Sequence, residues 1–88
     1  LRSSEAQIEN IKIVQRVYGD TPEENVKLGA LMKLRLEHED ATLNELAEML
    51  TEELNAPSPI SKGNVNHLFI KLKELAAPFK DKDRGNNH

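Results

Sequence analysis

The stretch Thr42-Leu43-Asn44-Glu45-Leu46-Ala47-Glu48-Met49-Leu50 decides the fold of this 88-residue chain, together with Ser61-Lys62-Gly63-Asn64-Val65-Asn66-His67-Leu68-Phe69-Ile70-Lys71-Leu72 beyond it. Thr42 and Glu45 stand at the spacing of a capping box, in which hydroxyl and carboxylate each accept a backbone N–H at a helix start. Leu43, Leu46, Ala47, Leu50 and Leu54 then recur at three- and four-residue intervals, one face of a helix. Ala47 is small and inward, so a second helix can cross closely. Ser61 caps that second helix, and Ile60 before it with Val65 after it fits a hydrophobic staple. Val65, Leu68, Phe69, Leu72 and Leu75 carry a core stripe until Pro78, which is expected to end the helix. Residues 51–59 hold Pro57 and Pro59 and must contain the turn. Two short capped helices joined this way make a helix-turn-helix over residues 42–76.

Two more helices precede it. Ser4 and Gln7 fit a capping box for a first helix, in which Ile8, Ile11, Val14 and Tyr18 line one side, and Gly19 supplies the stop. Thr21-Pro22-Glu23-Glu24 combines an N-cap hydroxyl, a proline at the first helical position and an acid in the first turn, predicting a second helix from there. Val26, Ala30 and Leu34 form one apolar row of it, with Leu28, Leu31 and Met32 beside them. The polar run Glu37-His38-Glu39-Asp40 breaks it. No strand pattern appears. The chain reads as all-α, a small helical bundle: a helix at 1–19 leading in, the helix-turn-helix domain at 20–79, and a polar tail at 80–88, without any apolar residue, expected to be disordered.

Composition narrows the function classes. Without cysteine there are no disulfides or thiolate metal sites, which fits a reducing, cytoplasmic setting. The apolar runs are too short to span a bilayer. Tyr18, Phe69 and Phe79 are the only aromatic residues, too few for a base-stacking platform. The net charge of −3 is unevenly spread: residues 1–60 carry −6 and residues 61–88 carry +3. The positive end is where a phosphate backbone would dock. His38, His67 and His88 with scattered carboxylates show neither metal spacing nor a nucleophile–base pair, so no enzyme, cofactor or metal site is expected.

What the second helix of the pair shows to solvent then decides its role. Opposite its core stripe lie Lys62, Asn66, Ile70 and Lys73, flanked by Asn64, His67, Lys71 and Glu74. A recognition helix offers such N-terminal residues to the major groove. An Asn66 amide can pair with the edge of adenine, and Ile70 can meet a thymine methyl. Ser61, Lys62 and the helix-start N–H groups suit a phosphate. The same residues also suit an ordinary solvated helix face, with Ser61 a cap and nothing more.

The segment Leu34-Arg35-Leu36-Glu37-His38-Glu39-Asp40-Ala41 leading into Thr42–Leu50, followed by Ile60-Ser61-Lys62-Gly63-Asn64-Val65-Asn66-His67, resembles the C-terminal domain of the WhiA family of bacterial regulators. The resemblance covers nearly the whole chain before Lys80. It implies a transcription-regulator domain tied to sporulation and cell division, with a helix-turn-helix similar to region 4 of sigma factors. It also implies a fragment that begins after an N-terminal domain resembling LAGLIDADG homing endonucleases. Ser61, Lys62, Val65, Asn66 and His67 match the family's recognition-helix positions. After the histidine the family has R-L-R-K where this chain has Leu68-Phe69-Ile70-Lys71, which removes two arginines from the basic face. The loop between Leu50 and Ile60 is also several residues longer.

Two functions follow as expectations. The first is binding of double-stranded DNA at the nucleoid by Ser61, Lys62, Asn64, Asn66, His67, Ile70, Lys71 and Lys73. The second is a protein-interaction module that contacts RNA polymerase, a sigma factor or the missing N-terminal domain.

Overall fold

The computed structural model describes the backbone of residues 3–83 and the side chains of residues 4–80. Among these residues the chain is all-α, with α1 at Ser3–Tyr18, α2 at Val26–Glu37, α3 at Leu43–Glu53 and α4 at Lys62–Asp83, and a 3-10 turn at Pro22–Glu24. Each helix contributes to one core: Ile11 and Val14 from α1, Leu28 and Leu31 from α2, Leu46 and Leu50 from α3, Val65, Leu72 and Ala76 from α4, all fully buried. Each large aliphatic side chain withdrawn from water this way contributes about 1.5–3 kcal/mol.

The helix-turn-helix forms as its local signals direct. Thr42 Oγ1 accepts from the Glu45 N–H at 3.1 Å, and Glu45 Oε1 accepts from the Thr42 N–H at 2.8 Å. Ala47 is buried against the core. At the other end Asn55 takes a left-handed φ of 51°. Its N–H donates to Glu52 O and the Ala56 N–H donates to Thr51 O, the double closure of a Schellman motif. Thr51 then fixes the long loop, since its hydroxyl donates to Ala47 O at 2.8 Å and accepts from the Ile60 N–H at 2.9 Å.

Outside this unit four expectations need correction. Ser3 already lies in α1, and Gln7 Oε1 is buried without a partner, so Ser4 and Gln7 form no capping box. Thr21 makes no side-chain cap either; Asn25 caps α2 by accepting from the Leu28 N–H at 3.0 Å. Pro22 is buried, and Asp20 and Thr21 lie across α2 at Gly29. A Cβ on Gly29 would lie 2.7 Å from Asp20 O. A segment packed across the helix cannot also be its first turn, and Glu23 and Glu24 turn through φ of 59° and 57° to make the corner. Val26 is thereby left 66% exposed at the helix start; of its expected row Leu34 is buried, and Leu28, Leu31, Met32 and Arg35 are buried with it.

The fourth concerns Pro78, which sits inside α4 rather than ending it. A mid-helix proline costs about 3 kcal/mol or more in an unsupported helix. Here Phe79 packs on the core and meets the Tyr18 ring edge-on at 6.1 Å, an anchor beyond the proline that favours continuation. Residues 80–83 are therefore helical, and the rest of the expected tail, residues 84–88, lies outside the described residues.

Candidate nucleic-acid interface

The first turns of α4 are held from three directions. Ser61 Oγ accepts from the Asn64 N–H at 3.1 Å, and the Val65 N–H donates to Ser61 O. Ile60 is half-buried against the core to which the fully buried Val65 belongs. From behind, Arg35 reaches the helix. Its guanidinium stands 5.6 Å from the centre of the Phe69 ring, and Nη1 donates to the carbonyls of His38, Glu39 and Ala41 at 3.0–3.2 Å. Arg35 thus ties the α2–α3 connection to the middle of α4. Burial draws its pKa down from the ordinary arginine value, with nearby Asp40 opposing, and a guanidinium keeps its charge under such a shift. An arginine on an otherwise apolar row, four residues after Leu31, is the sequence signal for this clamp.

The residues singled out from sequence do not all face the same way. Lys62, Asn66, His67, Ile70 and Lys73 are exposed, Ile70 to 45%. Asn64 is exposed but its amide turns back, donating from Nδ2 to Ser61 Oγ at 3.2 Å. It lines a hollow with Lys27 and the Pro57–Pro59 loop, which sets it apart from the outward face. Lys71 is half-buried, and its ammonium pairs with Glu23 Oε1 at 3.0 Å. Lys62 and Lys73 have no carboxylate within ion-pair distance among the described residues. Gly63 has open space where a Cβ would go, the nearest atom being Ser61 Oγ at 3.7 Å, so a phosphate or base edge can approach the backbone closely there.

Sequence reasoning missed four residues around this face: Glu23, Gln7, Asn10 and Lys80. Ile70 and Lys73 share a cavity of about 260 Å³ with Gln7 and Asn10 of α1 and with Lys80. Lys80 follows Lys73 by seven residues, a same-side spacing that was legible had α4 been read through Pro78.

The α2–α3 connection and the start of α3 have the reverse chemistry. Glu37, Glu39, Asp40, Glu45 and Glu48 surround a hollow of about 500 Å³ with His38 and Met49. Lys33 pairs with Glu53 of α3 at 3.1 Å; that hydrogen bond and charge raise the lysine pKa. Among the described residues no three His, Asp or Glu side chains are grouped so as to hold a metal ion.

Comparison with known proteins places this geometry in a family. A family profile described as the WhiA C-terminal HTH domain matches residues 1–76. A probable cell division protein WhiA of Lactobacillus helveticus (strain DPC 4571) is 40% identical over 81 residues, covering 90% of this chain and 24% of the relative. The protein of the same description from Oceanobacillus iheyensis is 41% identical over 76 residues, covering 84% of this chain and 22% of the relative. One from Geobacillus thermodenitrificans is 40% identical over 72 residues, 80% of this chain and 20% of the relative. The chain thus spans less than a quarter of the length of these relatives. No solved structure gives a significant match.

Proposed function

The chain belongs to the WhiA C-terminal helix-turn-helix family, and from that premise we propose that it binds double-stranded DNA through the outer face of α4. The observation that carries this reading is the rigid exposed row Lys62, Asn66, His67, Ile70 and Lys73 at the start of a helix whose other side is locked in the core. Asn66 and Ile70 are one turn apart and suit an adenine edge and a thymine methyl. Lys62 and Lys73 have no ion-pair partner among the described residues, and suit flanking phosphates. Ser61 contributes the capped helix start, where N–H groups and the positive end of the helix dipole favour an anion. Asn64 and Lys71 stand second in this assignment, because each has an intramolecular partner to give up. The module acts by binding, as part of a regulator working at the bacterial nucleoid in the cytoplasm; no helix of the described residues is long and apolar enough to cross a membrane.

The experiment is a titration of the 88-residue chain with duplex DNA by fluorescence anisotropy at several salt concentrations. Binding that weakens linearly on a log–log plot, losing about 0.9 in slope per phosphate neutralised, supports the reading. Absence of binding at low salt contradicts it.

A second reading is favoured by one observation, the acidic hollow around Glu37–Asp40 with Met49 in its wall. A basic protein surface, such as one on RNA polymerase, a sigma factor or another domain of the same regulator, complements it.

A further inference from the structure

We infer that the groove between α1 and α4, lined by Gln7, Asn10, Ile70, Lys73 and Lys80, seats a phosphate of the DNA backbone and so extends the nucleic-acid interface from the reading helix onto α1. The inference rests on the DNA-binding reading above.

Three features of the groove fit an oxyanion. Its cations are unquenched: neither Lys73 nor Lys80 has a carboxylate within ion-pair distance among the described residues. They are seven residues apart on α4 and so lie on one side of it, two turns or roughly 10 Å along the axis, bracketing a single cavity. The cavity, about 260 Å³, has room for a phosphate group with some of its water. The third feature is the pair of carboxamides. Asn10 is only 6% exposed, and both its Oδ1 and the Gln7 Oε1 are sealed without a hydrogen-bond partner. Both side chains line the groove, and a carboxamide carries an NH2 that can donate two hydrogen bonds. Two ammonium groups and two carboxamides around one hollow bring positive charge and N–H donors to a phosphate oxygen.

The position of the groove also fits. Ile70 and Lys73 belong to both the outward row of α4 and the groove wall, so a strand whose bases meet Asn66 and Ile70 continues over α1. Contacts of this type set register and add sequence-independent affinity.

Lys80→Gln and Gln7→Glu test it, with Lys12→Gln as control, since Lys12 is exposed on α1 and does not line the groove. Folding of each variant is checked by circular dichroism, and DNA affinity is read at three or more salt concentrations. Lys80→Gln is expected to weaken binding several-fold at low salt and to flatten the log–log salt dependence by about 0.9, one phosphate. Gln7→Glu, which turns a donor into an anion, is expected to weaken it more, and Lys12→Gln to leave both quantities unchanged. If the parent chain binds DNA but the groove variants match the control in affinity and slope, the groove assignment is overturned while the reading of α4 survives. If the parent chain binds no DNA, both fall together.

Discussion

Helices α3 and α4 are built alike and present opposite surfaces. Each begins at a hydroxyl cap, Thr42 or Ser61, and each turns an aliphatic stripe, Leu46–Leu50 or Val65–Leu72, into the same core. Outward, α3 shows Glu45, Glu48, Glu52 and Glu53, while α4 shows Lys62, Asn66, His67, Ile70 and Lys73. The frame is thus common to both helices, and function lies in the side chains that the frame leaves over. On the proposed reading, a chain of net charge −3 meets a polyanion through α4, and the exposed acids of α3 are one source of repulsion. Beyond a Debye length of about 10 Å at 0.1 M salt, their repulsion is largely screened.

The largest expected effect falls on the frame. Leu50→Ala removes a fully buried side chain of α3 and should cost about 2–5 kcal/mol in chemical denaturation. DNA binding through α4 should vanish with it as the fold is lost, although Leu50 faces no ligand. Gly29→Ala comes next. Its methyl would meet the Asp20 carbonyl at 2.7 Å, so a loss of about 1–3 kcal/mol is expected, where an exposed helical glycine would instead gain from the change. An unchanged melting temperature would show that the 20–22 segment does not press on α2.

The two caps separate frame from surface. Thr42→Ala and Ser61→Ala should each cost about 1 kcal/mol of stability. Only the Ser61 variant should also weaken DNA binding, measured well below both unfolding transitions. Equal losses of affinity would mean that the caps serve the fold alone. The smallest effects belong to single charges. Lys62→Ala should lower the salt slope by about 0.9, whereas Glu48→Gln on α3 should change DNA affinity by less than about twofold at 0.1 M salt. A large gain from Glu48→Gln would break the contrast by bringing the acidic side near the bound DNA.

These contrasts follow the same division as the legibility of the chain. Thr42, Glu45 and Ser61 were readable because a cap is decided within four residues, and the Leu46–Leu50 and Val65–Leu72 stripes because helical periodicity is local. Thr21-Pro22-Glu23-Glu24 carries the same kind of local signal, yet it is overridden by the packing of Asp20 and Thr21 against α2 at Gly29, a contact between segments that periodicity does not encode. Pro78 is overridden in the same way by Phe79 on Tyr18. At the candidate site, the exposure of Lys62, Asn66, His67, Ile70 and Lys73 was legible from the helical wheel. The Lys71–Glu23 pair and the approach of Gln7 and Asn10 to Lys73 and Lys80 were not, since both depend on how α1 and its exit turn pack beside α4.

Backbone amide chemical shifts of the chain, followed as duplex DNA is added at low salt, test the central claim most directly. The account predicts that the largest changes fall on Lys62, Asn66, His67, Ile70 and Lys73 of α4, with α3 residues Glu45, Glu48 and Glu52 unmoved. Changes centred on α3, or none on α4, would contradict it.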